Sequence, residues 1–175
     1  MKQRITIEEY STKWESEFNK LQTFINDVME DSILSIEHVG STSIKGLAAK
    51  PILDIDIVIE DYEIFPEVVK KLEKIGYYHQ AKWSFKGREA FGRKDASVPW
   101  SEENTVWMEQ HLYVCDKNSE ELRRHVAFRD YLREHEDVAV EYGRLKKEIA
   151  RESKNRSSYS EGKTAFITNI LGNIS

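Results

Sequence analysis

A single cysteine, Cys115, is present in 175 residues. No intramolecular disulfide can form from it and no cysteine-based zinc site can be assembled, which suits a reducing compartment. Long apolar runs are also missing. Nothing reaches the length needed to cross a bilayer, and Met1 to Thr6 leads into an amphipathic, charged segment, so a cytoplasmic location is expected. Nor is there a surplus of positive charge: 26 Lys and Arg stand against 31 Asp and Glu, a formal net charge of −5. That balance gives no general attraction for nucleic acid or an anionic membrane and leaves room only for a local basic pocket. Internal repeats and low-complexity segments are absent. What is there, 39% hydrophobic and 33% charged residues, is enough to fill a core and stay in solution, at a length that matches one domain.

The apolar spacing sets out the elements. Thr6 and Glu9 suit a capping box, followed by Tyr10, Trp14, Phe18, Leu21, Ile25 and Val28 at helical intervals. Ile33 to Val39 reads as a strand broken by Gly40-Ser41-Thr42-Ser43, and Ile52 to Ile59 as a central strand that Pro51 introduces. Pro66 and Gly76 bracket a helix bearing Val68, Val69, Leu72 and Ile75. Tyr77 to Phe85 and Val106 to Cys115 look like two more strands, joined by a polar connection that is a candidate cover for the site. From Ser119 onward three helices are expected. Together these predict an α+β fold, a mixed β-sheet with packed helices and a C-terminal helical layer, within one domain: a sheet part over about 1–116 and a helical part over about 117–175.

Asp54 and Asp56 lie two apart in the central strand, so strand alternation turns both carboxylates to one side of the sheet. Either the strand is an edge that exposes them to water, or their mutual repulsion is relieved by a cation or basic groups. Mg²⁺, or Mn²⁺ in its place, suits such a pair, because it takes one or two carboxylates and completes its shell with water and substrate phosphates. Upstream, the turn at Gly40, Ser41 and Thr42 can aim N–H groups and hydroxyls at an anion, with Lys45 and Lys50 nearby. Taken alone, such a turn is ordinary backbone punctuation.

A strand, Gly40-Ser41, then Asp54-x-Asp56 inside an apolar strand resembles the signature of the nucleotidyltransferase superfamily, which includes polymerase β-like enzymes. The wider wording resembles the GrpB family: His38 to Leu47, Ala49 to Ile55, His111-Leu112-Tyr113-Val114, Phe128 to Arg133, Tyr142 to Lys146 and Tyr159 to Phe166. The resemblance implies a nucleotidyltransferase-like fold, a family described only as GrpB or as a predicted transferase, and a distant likeness to a domain fused to dephospho-coenzyme A kinase. Active members of the superfamily add a third carboxylate from a neighbouring strand. Here that strand offers Glu109 and His111, with Tyr113 where relatives often carry a second histidine. His111 is thus a candidate ligand, general base or phosphate contact, or else a strand histidine bonded within the fold.

Arg88, Arg93, Lys94, Lys146 and Lys163 are candidate triphosphate clamps on the family pattern, Lys163 and Lys94 foremost; Arg123-Arg124 and Lys146-Lys147 also read as solvated helix faces. His38 is expected to orient the turn, Arg129 and Asp130 to form an ion pair, and Cys115 to be inert. The expected chemistry is metal-dependent transfer of a nucleoside monophosphate from a triphosphate to an unknown acceptor. Asp54 and Asp56 hold the metal, His111 assists, and Gly40, Ser41, Thr42, Lys50, Lys94 and Lys163 hold phosphate. A nucleotide-binding or regulatory module that has lost turnover, and a metal-dependent phosphohydrolase, are the alternatives.

Overall fold

The computed structural model describes residues 5–174. Met1 to Arg4, at the start of the expected amphipathic segment, lie outside the described residues. Five strands form one mixed sheet in the order β1 (Ser35–Val39), β2 (Leu53–Ile59), β5 (Gln110–Asp116), β4 (Glu89–Gly92) and β3 (Tyr78–His79). β2 and β5 run parallel at the centre, and every other pairing is antiparallel.

β2 decides how the layers divide. Leu53, Ile55, Ile57 and Ile59 point to one face, where they meet α1 (Thr12–Met29) and α2 (Phe65–Lys74) in the main core. α1 brings Trp14, Phe18, Leu21, Ile25 and Met29 to this face, all buried, at the intervals of a single helical stripe. α2 adds Val68 and Leu72, carries Pro66 in its first turn and ends before Gly76, whose φ of 104° only glycine adopts freely. The other face of β2 presents Asp54, Asp56 and Val58. Val58 packs with Cys115 and with Leu122 of α3 (Glu120–Glu134), and α4 (Glu136–Glu152) and α5 (Arg156–Ile174) join α3 beyond it.

A second apolar cluster ties these helices to the turn after β1: Ile44 and Leu47 pack against Leu132, Ala139 and Tyr142. Among the described residues, no helix is long and apolar enough to cross a membrane.

Three local expectations need correcting. α1 starts at Thr12 with Ser11 as its cap, accepting from Lys13 N at 3.2 Å. Thr6 and Glu9 do not cap it, because the chain there pairs instead, Glu8 exchanging hydrogen bonds with Ala49. The strand expected over Tyr77 to Phe85 shrinks to Tyr78–His79, since a 3₁₀ turn at Ala81–Trp83 reverses the chain so that Gln80 N bonds Ala90 O. β4 therefore lies inside the supposed connection, and β5 begins at Gln110 rather than Val106.

Candidate functional site

The turn after β1 is held from three directions. Gly40 has φ 72°, and a Cβ there would fall inside the Asp54 carboxylate, so only glycine lets the turn close on β2. Beneath it, His38 Nε2 meets Thr42 Oγ1 at 2.9 Å, and Thr42 donates to Ile52 O at 3.3 Å. His38 also stacks on Phe18 with ring centroids 4.4 Å apart, and burial lowers its pKa to about 4, so it is a neutral strut for the turn. Above, Arg133 of α3 donates through Nε and Nη2 to Ser43 O at 3.1 and 3.0 Å. Arg129, one turn earlier, pairs with Glu37 at 2.8 Å and Asp130 at 3.0 Å, the structural ion pair expected.

Strand register brings the two aspartates to two histidines. Asp54 pairs across β5 with His111, and Nδ1 of that histidine lies 3.2 Å from Asp54 Oδ1. Both side chains remain partly open, His111 at 45% and Asp54 at 34% exposure. Asp56 is fully buried opposite Tyr113. Its Oδ2 lies 2.6 Å from Nδ1 of His125 on α3, and His125 Nε2 lies 3.1 Å from Glu121. Burial pushes the Asp56 carboxyl up. Burial works against the His125 cation, but the Asp56 hydrogen bond and charge, with Glu121 behind, outweigh it and raise that pKa too. Both directions favour retaining a proton between the two groups relative to their separate states in water. Asp56 Oδ1 has no hydrogen-bond partner among the described residues.

On the other side of Asp54 three lysines converge. The Lys50 and Lys163 ammonium groups lie 4.8 and 4.6 Å from the centroid of the Tyr159 ring, and that of Lys146 lies 4.9 Å from the centroid of Tyr142. Lys146 is 1% exposed, and its ammonium has no hydrogen-bond partner among the described residues. Burial, then repulsion from Lys163, lowers its pKa to about 7; burial and then Lys50 lower Lys163 to about 8. Two cavities flank Asp54. One of about 300 Å³ has an apolar wall of Val39, Phe128, Ile167 and Leu171. The other, about 220 Å³, is bordered by Thr42, Lys50, His111, Lys146 and Tyr159. Ser41, Asp54 and Lys163 border both.

Of the residues singled out in the sequence, Gly40, Ser41, Thr42, Lys50, Asp54, Asp56, His111 and Lys163 are brought together. Lys94 is not: it lies 5.5 Å over the Trp100 ring and borders neither cavity. Lys45 is exposed, and Glu109 is exposed just before β5 begins. Lys146 departs from the solvated-face reading, whereas its neighbour Lys147 does pair at the surface, with Glu9. Sequence reasoning missed His125 and Glu121, because nothing linear marks a helix histidine that reaches a strand 69 residues away. Their i, i+4 spacing was the one signal available.

The family model described as GrpB protein matches residues 4–173. The chain belongs to the GrpB family. The glutamate-rich protein GrpB of Alkalihalophilus pseudofirmus is 31% identical over 93% of this chain and 91% of its own length. A UPF0157 protein of Halalkalibacterium halodurans is 32% identical over 95% of this chain and 80% of its own. The crystal structure of the conserved GrpB protein from Enterococcus faecalis superposes with a TM-score of 0.80 at 30% identity, covering 97% of this chain and 96% of that one. A structure of the Cid1 poly(U) polymerase with bound MgGTP superposes at TM-score 0.55 and 13% identity, over 80% of this chain and 42% of that one. At that identity the likeness speaks for the fold alone, and the GrpB chain has a nucleotidyltransferase-like fold.

Proposed function

We propose that this GrpB protein is a metal-dependent nucleotidyltransferase that moves a nucleoside monophosphate from a triphosphate to an acceptor hydroxyl. One observation carries the reading: Ser41, Asp54 and Lys163 border both a cavity in which Val39, Phe128, Ile167 and Leu171 offer apolar surface to a base, beside the charged groups of Arg88, Glu121, Arg124 and His125, and a lysine-lined cavity suited to phosphates. The α-phosphate of a nucleotide spanning the two would pass Asp54.

The residues present fit Mg²⁺ or Mn²⁺. Asp54 and Asp56 supply hard oxygens on one face of β2, and Asp56 Oδ1 is a buried oxygen that wants a partner. Among the described residues no cluster of three or more His, Cys, Asp and Glu could hold a metal, so phosphate oxygens and water would complete the shell. Such a cation neutralises charge that develops on the phosphates.

The chain's own residues do the rest. The Gly40-Ser41 turn and Lys50, Lys146 and Lys163 bind the phosphates and hold the leaving group. With Nδ1–H donated to Asp54, His111 keeps its lone pair on Nε2. The acceptor hydroxyl attacks the α-phosphorus, the bond from that phosphorus to the bridging oxygen breaks, and pyrophosphate leaves. The hydroxyl proton passes to His111 Nε2.

A second reading, a binding module without turnover, draws on β5 carrying His111 and Tyr113 opposite the two aspartates where a third carboxylate would stand. Calorimetric titration of ATP, GTP, CTP and UTP, with and without MgCl₂, tests the site. One triphosphate should bind only with magnesium and at least tenfold more weakly to Asp54→Asn. If no nucleotide binds, or binding ignores both magnesium and Asp54, the transferase reading fails. Pyrophosphate release from the bound triphosphate separates enzyme from module.

A further inference from the structure

α3 packs along β1 and β5, and the site face of β4 and β3 is left as one wall of a groove of about 840 Å³. Three small residues, Ala90, Gly92 and Ala96, are part of its lining. Gly92 lies so close under Tyr78 and Gln80 that a Cβ would come within 2.7 Å of the Tyr78 ring and the Gln80 amide. Two aromatic side chains stand at its border largely in solvent, Trp83 at 62% and Tyr78 at 49% exposure. His111 borders both this groove and the lysine-lined cavity, so the groove opens beside Asp54.

The charge in the groove is unevenly spent. Arg93 is committed to the carbonyls of Val98 and Met108, at 3.1 and 3.2 Å, and Asp95 to Ser97. Arg88 lies between the Phe85 and Tyr113 rings at 4.4 and 4.5 Å, with one bond to Trp83 O and a buried Nε that has no partner. Arg156, exposed in the first turn of α5, also borders the groove and is near enough to Lys50 to act on its charge. The groove thus offers open aromatic surface for a planar ring and guanidinium groups for an anion.

We propose that this groove is the acceptor site, and that the acceptor is a small molecule that joins a planar ring to an anionic group. The word acceptor rests on the transferase reading; the binding does not. A net charge of −5 gives the surface no general attraction for a polyanion, which favours a small ligand over a polynucleotide.

The test is calorimetric titration without divalent metal, using AMP and UMP as ring-plus-anion probes, adenosine as ring alone and ribose 5-phosphate as anion alone. At least one nucleotide should bind, and each half-molecule at least tenfold more weakly. Trp83→Ala and Arg156→Gln, both at exposed positions, should each weaken the nucleotide at least fivefold, with thermal unfolding unchanged. Asp54→Asn should leave it within twofold while magnesium-dependent triphosphate binding is lost. Metal-free nucleotide binding that persists where no triphosphate responds to magnesium would keep the groove and remove the transferase reading. Absence of binding, equal affinity for the half-molecules, indifference to Trp83→Ala and Arg156→Gln, or loss in Asp54→Asn would overturn the groove assignment.

Discussion

On one face of β2, Leu53, Ile55, Ile57 and Ile59 are buried to within 1% of complete and belong to one apolar cluster with residues of α1 and α2. On the opposite face, one residue out of step, Asp54 and Asp56 sit among histidines, lysines and two cavities, and a buried oxygen and a buried ammonium lack partners. The strand is common to both, so the contrast isolates what each face is for. The first face lowers the free energy of the fold by burying area, about 1.5–3 kcal/mol for each such side chain. The second carries polar groups that packing does not satisfy, the condition expected of a surface shaped for a ligand.

The largest expected effect is on the packed face. Ile57→Ala should destabilise the protein by about 4 kcal/mol in urea denaturation, through lost transfer energy and a cavity in rigid surroundings. A loss under about 1 kcal/mol would mean that the face is not the main core. Next is His125→Leu, which strips Asp56 of its partner. A cost of roughly 3 kcal/mol is expected, at the low end for a broken buried pair because Asp56 can escape by taking up a proton. No measurable cost would show that His125 does not support that aspartate.

The smallest effect has the opposite sign. Lys146→Met should raise stability at pH 7 by about 1–2 kcal/mol, since a buried ammonium without a partner gives way to a similar apolar stem. The same variant should bind the triphosphate less tightly. The sign of the pH dependence follows from Lys146 at about 7 and Lys163 at about 8 in the folded protein, against an ordinary 10.5. Between pH 7 and 9 the unfolded chain holds more protons on these lysines, so their contribution makes stability rise with pH, and their penalty is fully present below 7. Lys146→Met should flatten that rise in pH-resolved denaturation; an unchanged slope would remove Lys146 as its source.

The two faces were not equally readable beforehand. Alternation in Ile52 to Ile59 and the helical stripe from Trp14 to Met29 are local patterns with a fixed period, and they fixed the core face and the aspartate face together. Gly40 was readable because a strand followed by Gly-Ser is a short-range signal. His125, Glu121 and the buried state of Lys146 were not, because they depend on how α3, α4 and α5 lie across the sheet, which no period encodes. Lys94 misled for the same reason, being a pattern match whose side chain the fold sends to Trp100. β4 was hidden by its length of four residues, by Gly87 just before it and by Gly92 as its last residue.

The parallel pairing of β2 with β5 has a consequence for assembly in time. Its Asp54–His111 contact spans 57 residues, and the Asp56–His125 contact spans 69. Neither half of the site can form from a local segment, and loops of that size must close before either contact exists. The two aspartates therefore meet their histidines only once the sheet centre and α3 are in place, which makes the His125 imidazole resonances a marker for long-range assembly rather than for local helix formation.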